Sequence, residues 1–299
     1  MTRARANLRG IALMIAAMAG FTLTDSFVKS AARDLPVGQI LAVAGILGGS
    51  AFALMTRAQG HAVITRDFLL WPVILRNLSE IAGTICYVTA LSKIDLSVAS
   101  AIIQATPLAV TLGAVVMLGE TVHWRRWGAI FVGFAGVLII LRPGGSAFDP
   151  DMLWAVAGLF ALAMRDLATR LVPKNMPTLR VSTYGMTMLL PAGLLLILLG
   201  QTPQPMDMQN WGQVFGFVVL GVLGYWAITA AMRVGDVSVV APFRYSRIIF
   251  ALIIGTVVFG EHPDFWTLFG ATLTILAGIY AFMRERRLAS ALPSRPKAQ

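Results

Sequence analysis

The sequence is short of charge, nearly without cysteine, and empty of the loops and ligand spacings on which most enzyme chemistry rests. Charged residues make up 13% of its 299 positions, about half the share of a soluble domain. The turn signals that a soluble α/β fold would need every dozen residues are absent, so that class is excluded. The single cysteine, Cys86, lies inside an apolar segment; an intrachain disulfide is therefore excluded, and cysteine usage gives no compartment. No GxxxxGK[ST] loop occurs, which excludes an ATP-driven pump on this chain. HExxH and GxSxG are missing too. The three histidines, His61, His123 and His262, fall in connections on differing faces, so no metal site and no cofactor are expected. Acidic residues number 14 against 24 Lys and Arg, for a net charge of +10. That excess sits singly or in pairs between apolar runs, a distribution that argues against nucleic acid as a partner.

What is present is apolar: 57% hydrophobic residues and a mean hydropathy of +0.76. The apolar residues come in runs of about 20, the length that crosses a hydrocarbon layer as a helix. The chain is expected to be all-α, a polytopic integral membrane protein with membrane lipids around it. Ten transmembrane helices are expected, at about 9–29, 36–56, 69–91, 96–118, 125–141, 152–171, 178–200, 210–232, 237–259 and 265–284. Arg3, Arg5 and Arg9 precede the first run as in a signal peptide, but no small-residue cleavage site followed by polar sequence ends it, so the span is retained. With the N-terminus inside, 16 Lys and Arg fall on the cytoplasmic side and 4 on the outer side. That split puts both termini in the cytoplasm, and a bacterial inner (plasma) membrane is the expected location.

The stretch Ala90–Arg142 is written a second time as Ala231–Arg284. Asp95 and Ser97 meet Asp236 and Ser238, and Gly119-Glu120 meets Gly260-Glu261, at a separation of 141 residues; Asp25, Lys29 and Gly83 match Asp166, Arg170 and Gly224 at the same spacing. A period this long means two half-proteins. Residues 1–145 form a first five-helix repeat, 146–286 a second, and 287–299 a disordered basic cytoplasmic tail. Five crossings is an odd number, so the second copy lies upside down relative to the first. Two inverted five-helix repeats are the architecture of many secondary transporters.

Ten spans in two copies, a fourth span with Pro107 to Leu112, then Gly119-Glu120, then Trp127-Gly128 opening the fifth, resemble the drug/metabolite transporter superfamily and its EamA-type exporters over about residues 8–286. The resemblance implies outward movement of small metabolites, amino acids among them, without nucleotide hydrolysis. It also implies a central cavity lined by spans three, four, eight and nine. The second copy departs from the first where Thr106-Pro107 becomes Arg247-Ile248.

Charges inside the membrane call for a partner or a function. Asp25 with Lys29, and Asp166 with Arg170, are spaced i,i+4 with the acid first, so each reads as a local ion pair whose cation reaches the interface. In a second reading Asp25 and Asp166 are proton-coupling candidates. Arg76 and Glu80 on span three, with Arg244 and Arg247 on span nine, fall roughly 10–18 Å deep. Three cations against one anion leave a surplus of two, which an arriving carboxylate would offset; the competing reading has these arginines capping carbonyls. Tyr87, Tyr225, Trp226 and Tyr245 either fill space or wall the cavity. Gln104 and Thr106 are polar exceptions aligned with Tyr245 and Arg247 across the repeat. Glu120 and Glu261, just past spans four and nine, are expected to bind backbone amides or basic residues at helix starts. Pro107 and Pro242 invite kinks. Gly45-x3-Gly49, Ala129-x3-Gly133 and Gly212-x3-Gly216 permit close internal helix contact, in a monomer or a homodimer.

The expected function is a secondary transporter exporting small polar metabolites, a small-molecule substrate of the amino acid type (aromatic ones included) or another carboxylate, alone or with a proton. An exchanger of organic or phosphorylated anions is the alternative within transport, and a non-transporting membrane enzyme or scaffold the alternative outside it.

Overall fold

The computed structural model describes residues 3–120, 124–145, 148–173 and 175–291, with backbone alone for Arg3, Arg233, Val237, Ser238 and 285–291. His123, Lys174 and the tail from 292 onward lie outside the described residues. Among the described residues the chain is helical throughout and no strand occurs. The helices are α1 (Arg3–Ala31), α2 (Val37–Ala58), α3 (Trp71–Lys93), α4 (Leu96–Ile103), α5 (Thr106–Leu118), α6 (Trp124–Leu141) and α7 (Met152–Leu171). They continue as α8 (Thr178–Thr187), α9 (Leu189–Leu198), α10 (Met208–Val234), α11 (Val237–Val240), α12 (Ser246–Phe259) and α13 (Phe265–Ala291), so α13 runs past the span end expected at 284.

Nine of the described stretches are long and apolar enough to cross a bilayer. Three of these are broken helices: α4 with α5, α8 with α9, and a tight 3₁₀ turn at Ala241–Tyr245 leading into α12. α3 has the length, at 23 residues. It falls short in hydropathy because it carries Arg76, Asn77, Ser79 and Glu80. The breaks have local causes. Pro107 and Pro242 have no N–H and sit in the first positions of their segments. Thr106 Oγ1 donates to the Ile103 carbonyl at 2.5 Å, occupying an acceptor that the break would leave open. The break at Met188, just before Pro191, has the same origin and was not foreseen from sequence.

α5 and α12 end alike. Gly119 (φ 66°, ψ 22°) and Gly260 (φ 68°, ψ 25°) take the left-handed conformation, and their amides turn back to the carbonyls of Ala114 and Gly255. Only glycine adopts this without steric cost. All eight residues of α4 are buried, which puts this short helix at the centre of the main core. Around it, α1 packs on α10 and α7 on α3; α2 packs on α8 and α9; α6 packs on α13; α1 meets α12 as α7 meets α5.

The glycines permit these contacts. A Cβ on Gly83 would stand 2.7 Å from Leu162 Cδ2, and one on Gly224 would stand 3.1 Å from Phe21 Cε1. α6 and α13 cross where Gly136 and Gly270 face each other's carbonyls, and Thr274 Oγ1 donates to the Gly133 carbonyl at 3.1 Å. Gly45, Gly49, Gly133 and Gly216 likewise lie against neighbouring helices of the same chain, whereas Gly212 faces open space. At the start of α13, Asp264 accepts from the Thr267 N–H at 2.9 Å and pairs with Arg142 at 2.5 Å. Partial burial pushes its carboxyl upward, but these bonds outweigh that and hold it below the usual carboxylate range.

Candidate functional site

The two central breaks place polar groups at mid-depth. Because α4 ends at Ile103 and α5 restarts at Thr106, Gln104 and Thr106 turn toward the opposite break, where Arg244 and Tyr245 lie in the 3₁₀ turn and Arg247 opens α12. Gln104 Nε2 donates to the Arg244 carbonyl at 3.3 Å and ties the breaks together. Beside them is a cavity of about 840 Å³, walled by these five residues together with Thr111 on α5, Arg126 on α6, Arg165, Asp166 and Arg170 on α7, and Gly278 and Phe282 on α13. Tyr245 lies directly over Gly278, whose missing side chain leaves room for the ring. Arg126 bonds Thr111 Oγ1 at 3.1 Å.

The expected wall of spans three, four, eight and nine is therefore corrected. The broken fourth and ninth spans do line the cavity, but α3 and α10 do not; α6, α7 and α13 take their place. Three of the four aromatic candidates, Tyr87, Tyr225 and Trp226, are accordingly not on that wall. Trp226 is 61% exposed on the outer surface of α10. Tyr225 accepts a hydrogen bond from Ser182 Oγ at 2.5 Å and stands edge-on to Phe52.

The local ion pairs expected from i,i+4 spacing are also corrected. Asp25 does not take Lys29. It is buried and bound to Arg247 Nη2 at 2.5 Å, with Tyr87 Oη donating to it at 3.0 Å. Arg247 further reaches Tyr87 Oη at 3.2 Å and lies between the rings of Phe21 and Tyr87. Asp166 does not take Arg170 either; it pairs with its neighbour Arg165 at 2.8 Å. Arg165 bridges onward to Glu80 at 3.2 Å, and Glu80 holds Arg76, one turn away on α3, at 3.1 Å. Arg76 is buried, bonds Asn77 and lies against Gly185 of α8.

The electrostatic sum changes with these partners. The four arginines 76, 165, 244 and 247 meet three carboxylates, Asp25, Glu80 and Asp166, and one positive charge remains. It belongs to Arg244, which lines the cavity and has no ion pair among the described residues. A charge at this depth is costly unless something negative arrives. Sequence spacing identified Arg244 but missed Arg165 as the bridge. The signal available was its position beside Asp166, on a helix face shared with two small residues, Ala161 and Gly158.

Comparison with known proteins bears on this site. The sequence profile of the EamA-like transporter family matches residues 8–142 and again 150–283. The S-adenosylmethionine uptake transporter of Rickettsia prowazekii is 26% identical over 222 residues, 72% of each chain. The riboflavin transporter of Vibrio cholerae is 30% identical over 177 residues, 59% of each chain. The pseudopaline exporter CntI of Pseudomonas aeruginosa is 24% identical over 273 residues, 90% of this chain and 94% of its own. One crystal structure, described only as that of a protein, superposes with a TM-score of 0.61 at 21% identity, over 96% of this chain and 99% of its own, which supports the fold alone.

Proposed function

Since the chain belongs to the EamA-like transporter family, and is thus a multi-pass membrane transporter of small molecules rather than an enzyme, we propose that it carries a metabolite bearing one anionic group by alternating access between two inverted five-helix repeats. The paired helix contacts, the matching breaks and the matching glycine caps support the inverted arrangement. The single observation that carries the substrate class is Arg244, a guanidinium on the wall of the 840 Å³ cavity that has no ion pair among the described residues and feels Asp166 of the same wall only across space. A planar guanidinium holds a carboxylate through two parallel hydrogen bonds. Gln104, Thr106 and Tyr245 offer further polar contacts, with Phe282 for an apolar or aromatic part.

A cavity of this volume lies within the range of about 300–1,000 Å³ for drug-sized ligands. That size favours a metabolite larger than an amino acid, though amino acids and aromatic amino acids fit within it. S-adenosylmethionine and pseudopaline, named for the relatives, are compounds to try first, with riboflavin, which bears no anionic group, as the contrast. Export is the direction we propose, supported by the exporter among the relatives that spans nine-tenths of this chain. With the termini cytoplasmic, as the Lys and Arg distribution supports, the end of the cavity lined by Arg126 and Arg170, at the start of α6 and the end of α7, lies toward the cytoplasm of a bacterial inner membrane. Proton coupling, if present, falls to Asp166 on the cavity wall or to Asp25 behind Arg247; loss of the pH dependence of transport in Asp166→Asn or Asp25→Asn identifies which.

The deciding experiment is counterflow in proteoliposomes with labelled compounds of each kind, repeated with Arg244→Gln. Retained uptake of a carboxylate-bearing compound at the unsubstituted rate would remove Arg244 as its anchor. Uptake driven only by an anion on the other side of the membrane would favour the alternative of an organic or phosphorylated-anion exchanger.

A further inference from the structure

Glu120 and Glu261 follow two glycines of the same conformation, and their amides bond to the equivalent carbonyls of Ala114 and Gly255. Their carboxylates nonetheless meet quite different surroundings. Glu261 is 5% exposed. Its carboxylate accepts from the backbone N–H of Leu96 at 2.6 Å, from that of Ser97 at 3.0 Å and from Ser97 Oγ at 2.8 Å, all at the start of α4 in the other half. Lys29 lies 3.4 Å from the same carboxylate and donates to the Ile94 carbonyl at 2.5 Å. Among the described residues Glu120 pairs with Arg170, at 3.7 Å, with both side chains nearly half exposed.

These two sets are copies of one arrangement. Adding 141 residues turns Lys29 into Arg170, Glu120 into Glu261, and Leu96 and Ser97 into Val237 and Ser238. One copy is fastened and the other is loose. The loose one stands at the cavity: Arg170 is on its wall, whereas Lys29 and Glu261 are not.

We propose that the two sets are alternating latches of the transport cycle, resting on the inverted-repeat reading above. In the present state Glu261 and Lys29 fasten the start of α4 and seal their face, while the half-exposed pair of Glu120 and Arg170 leaves the cavity open on theirs. In the opposite state Glu120, with Arg170, takes the backbone amides of Val237 and Ser238, and Glu261 releases those of Leu96 and Ser97. Each state keeps one fastened set, so the exchange proceeds without a net loss of charge-assisted hydrogen bonds. The two broken helices supply the freedom, because each latch holds the outer piece of one of them.

The test needs no substrate. In a Cys86→Ser background, Thr106→Cys reports on the cavity wall, and an impermeant maleimide is applied to right-side-out and to inside-out vesicles. The reporter alone is labelled mainly from the Glu120 face. Adding Glu261→Gln moves the labelling ratio toward the Lys29 face by about tenfold or more, the worth of about one lost charge-assisted bond. Adding Glu120→Gln instead moves it the other way, and the two together return it toward the starting ratio. Should Glu261→Gln fail to accumulate in the membrane, Lys29→Met leaves the amide bonds in place and shifts the ratio in the same direction as Glu261→Gln. An unchanged ratio in both folded single variants, or shifts of the same sign, overturns the latch. Absence of counterflow by the unsubstituted protein would instead strike the transport reading, so the two fail separately.

Discussion

Replacing Asp25 by asparagine tests the most consequential correction in the structure, the pairing of Asp25 with Arg247 across 222 residues of sequence. The Asp25 side chain is 8% exposed and that of Arg247 is 20% exposed. Charge centres about 4 Å apart at an effective dielectric near 20 attract by about 4 kcal/mol. Desolvation offsets most of that gain for the intact pair, but removing only one partner leaves a buried cation and costs about 3–5 kcal/mol. Asparagine keeps an oxygen to accept from Arg247 and Tyr87, so the lower end, about 3 kcal/mol, is expected. The assay is SDS-induced unfolding in mixed micelles for Asp25→Asn, Arg247→Gln and the double variant. The double variant should be more stable than the sum of the single losses implies, by about 2–3 kcal/mol. Additive losses, or a loss below about 1 kcal/mol for Asp25→Asn, would refute the pairing. If Asp25 paired within its own helix with Lys29, substituting Arg247 would leave the effect of Asp25→Asn unchanged.

Three further outcomes follow from the geometry. Gly278→Ala puts a methyl group where the Tyr245 hydroxyl lies, so the ring swings into the cavity; counterflow should fall about tenfold or more while the variant still elutes as folded protein. Gly260→Val forces a branched residue into a left-handed conformation at φ 68°, and unfolding in mixed micelles should show a loss of about 1–3 kcal/mol. Trp226→Ala, on the outer surface of α10, should leave substrate affinity and the resistance to SDS within about 0.5 kcal/mol of their starting values.

The duplication was legible because the devices it repeats are local. A left-handed glycine followed by glutamate, or a proline early in a helix segment, has the same consequence wherever it occurs, and both copies keep it. The role foreseen for Glu261 was also legible, since a carboxylate just past a span has few donors available besides backbone amides and cations. The ion pairs were not. Spacing states that Asp25 and Lys29 share a face, but it does not state which neighbouring helix that face meets. Lys29 is long enough to reach Glu261 and the Ile94 carbonyl instead. The surplus of two positive charges shrank to one for the same reason, as Arg247 found an acid on a helix far away in sequence. The cavity walls depend on how far each helix is turned about its own axis. Tyr225 and Trp226 are adjacent on α10 yet face a hydroxyl and the outer surface, a distinction that an aromatic count does not contain.

The crossing of α6 and α13 leaves no slack. A single methyl carbon on Gly136 would come within 2.6 Å of the Gly270 carbonyl, and one on Gly270 within 2.5 Å of the Gly136 carbonyl. The contact continues from there through Thr274 on the Gly133 carbonyl to Ala277 beside Gly133, so two rods, one from each half of the chain, are clasped along a seam. Alanine at either glycine would prise that seam open from its tightest end.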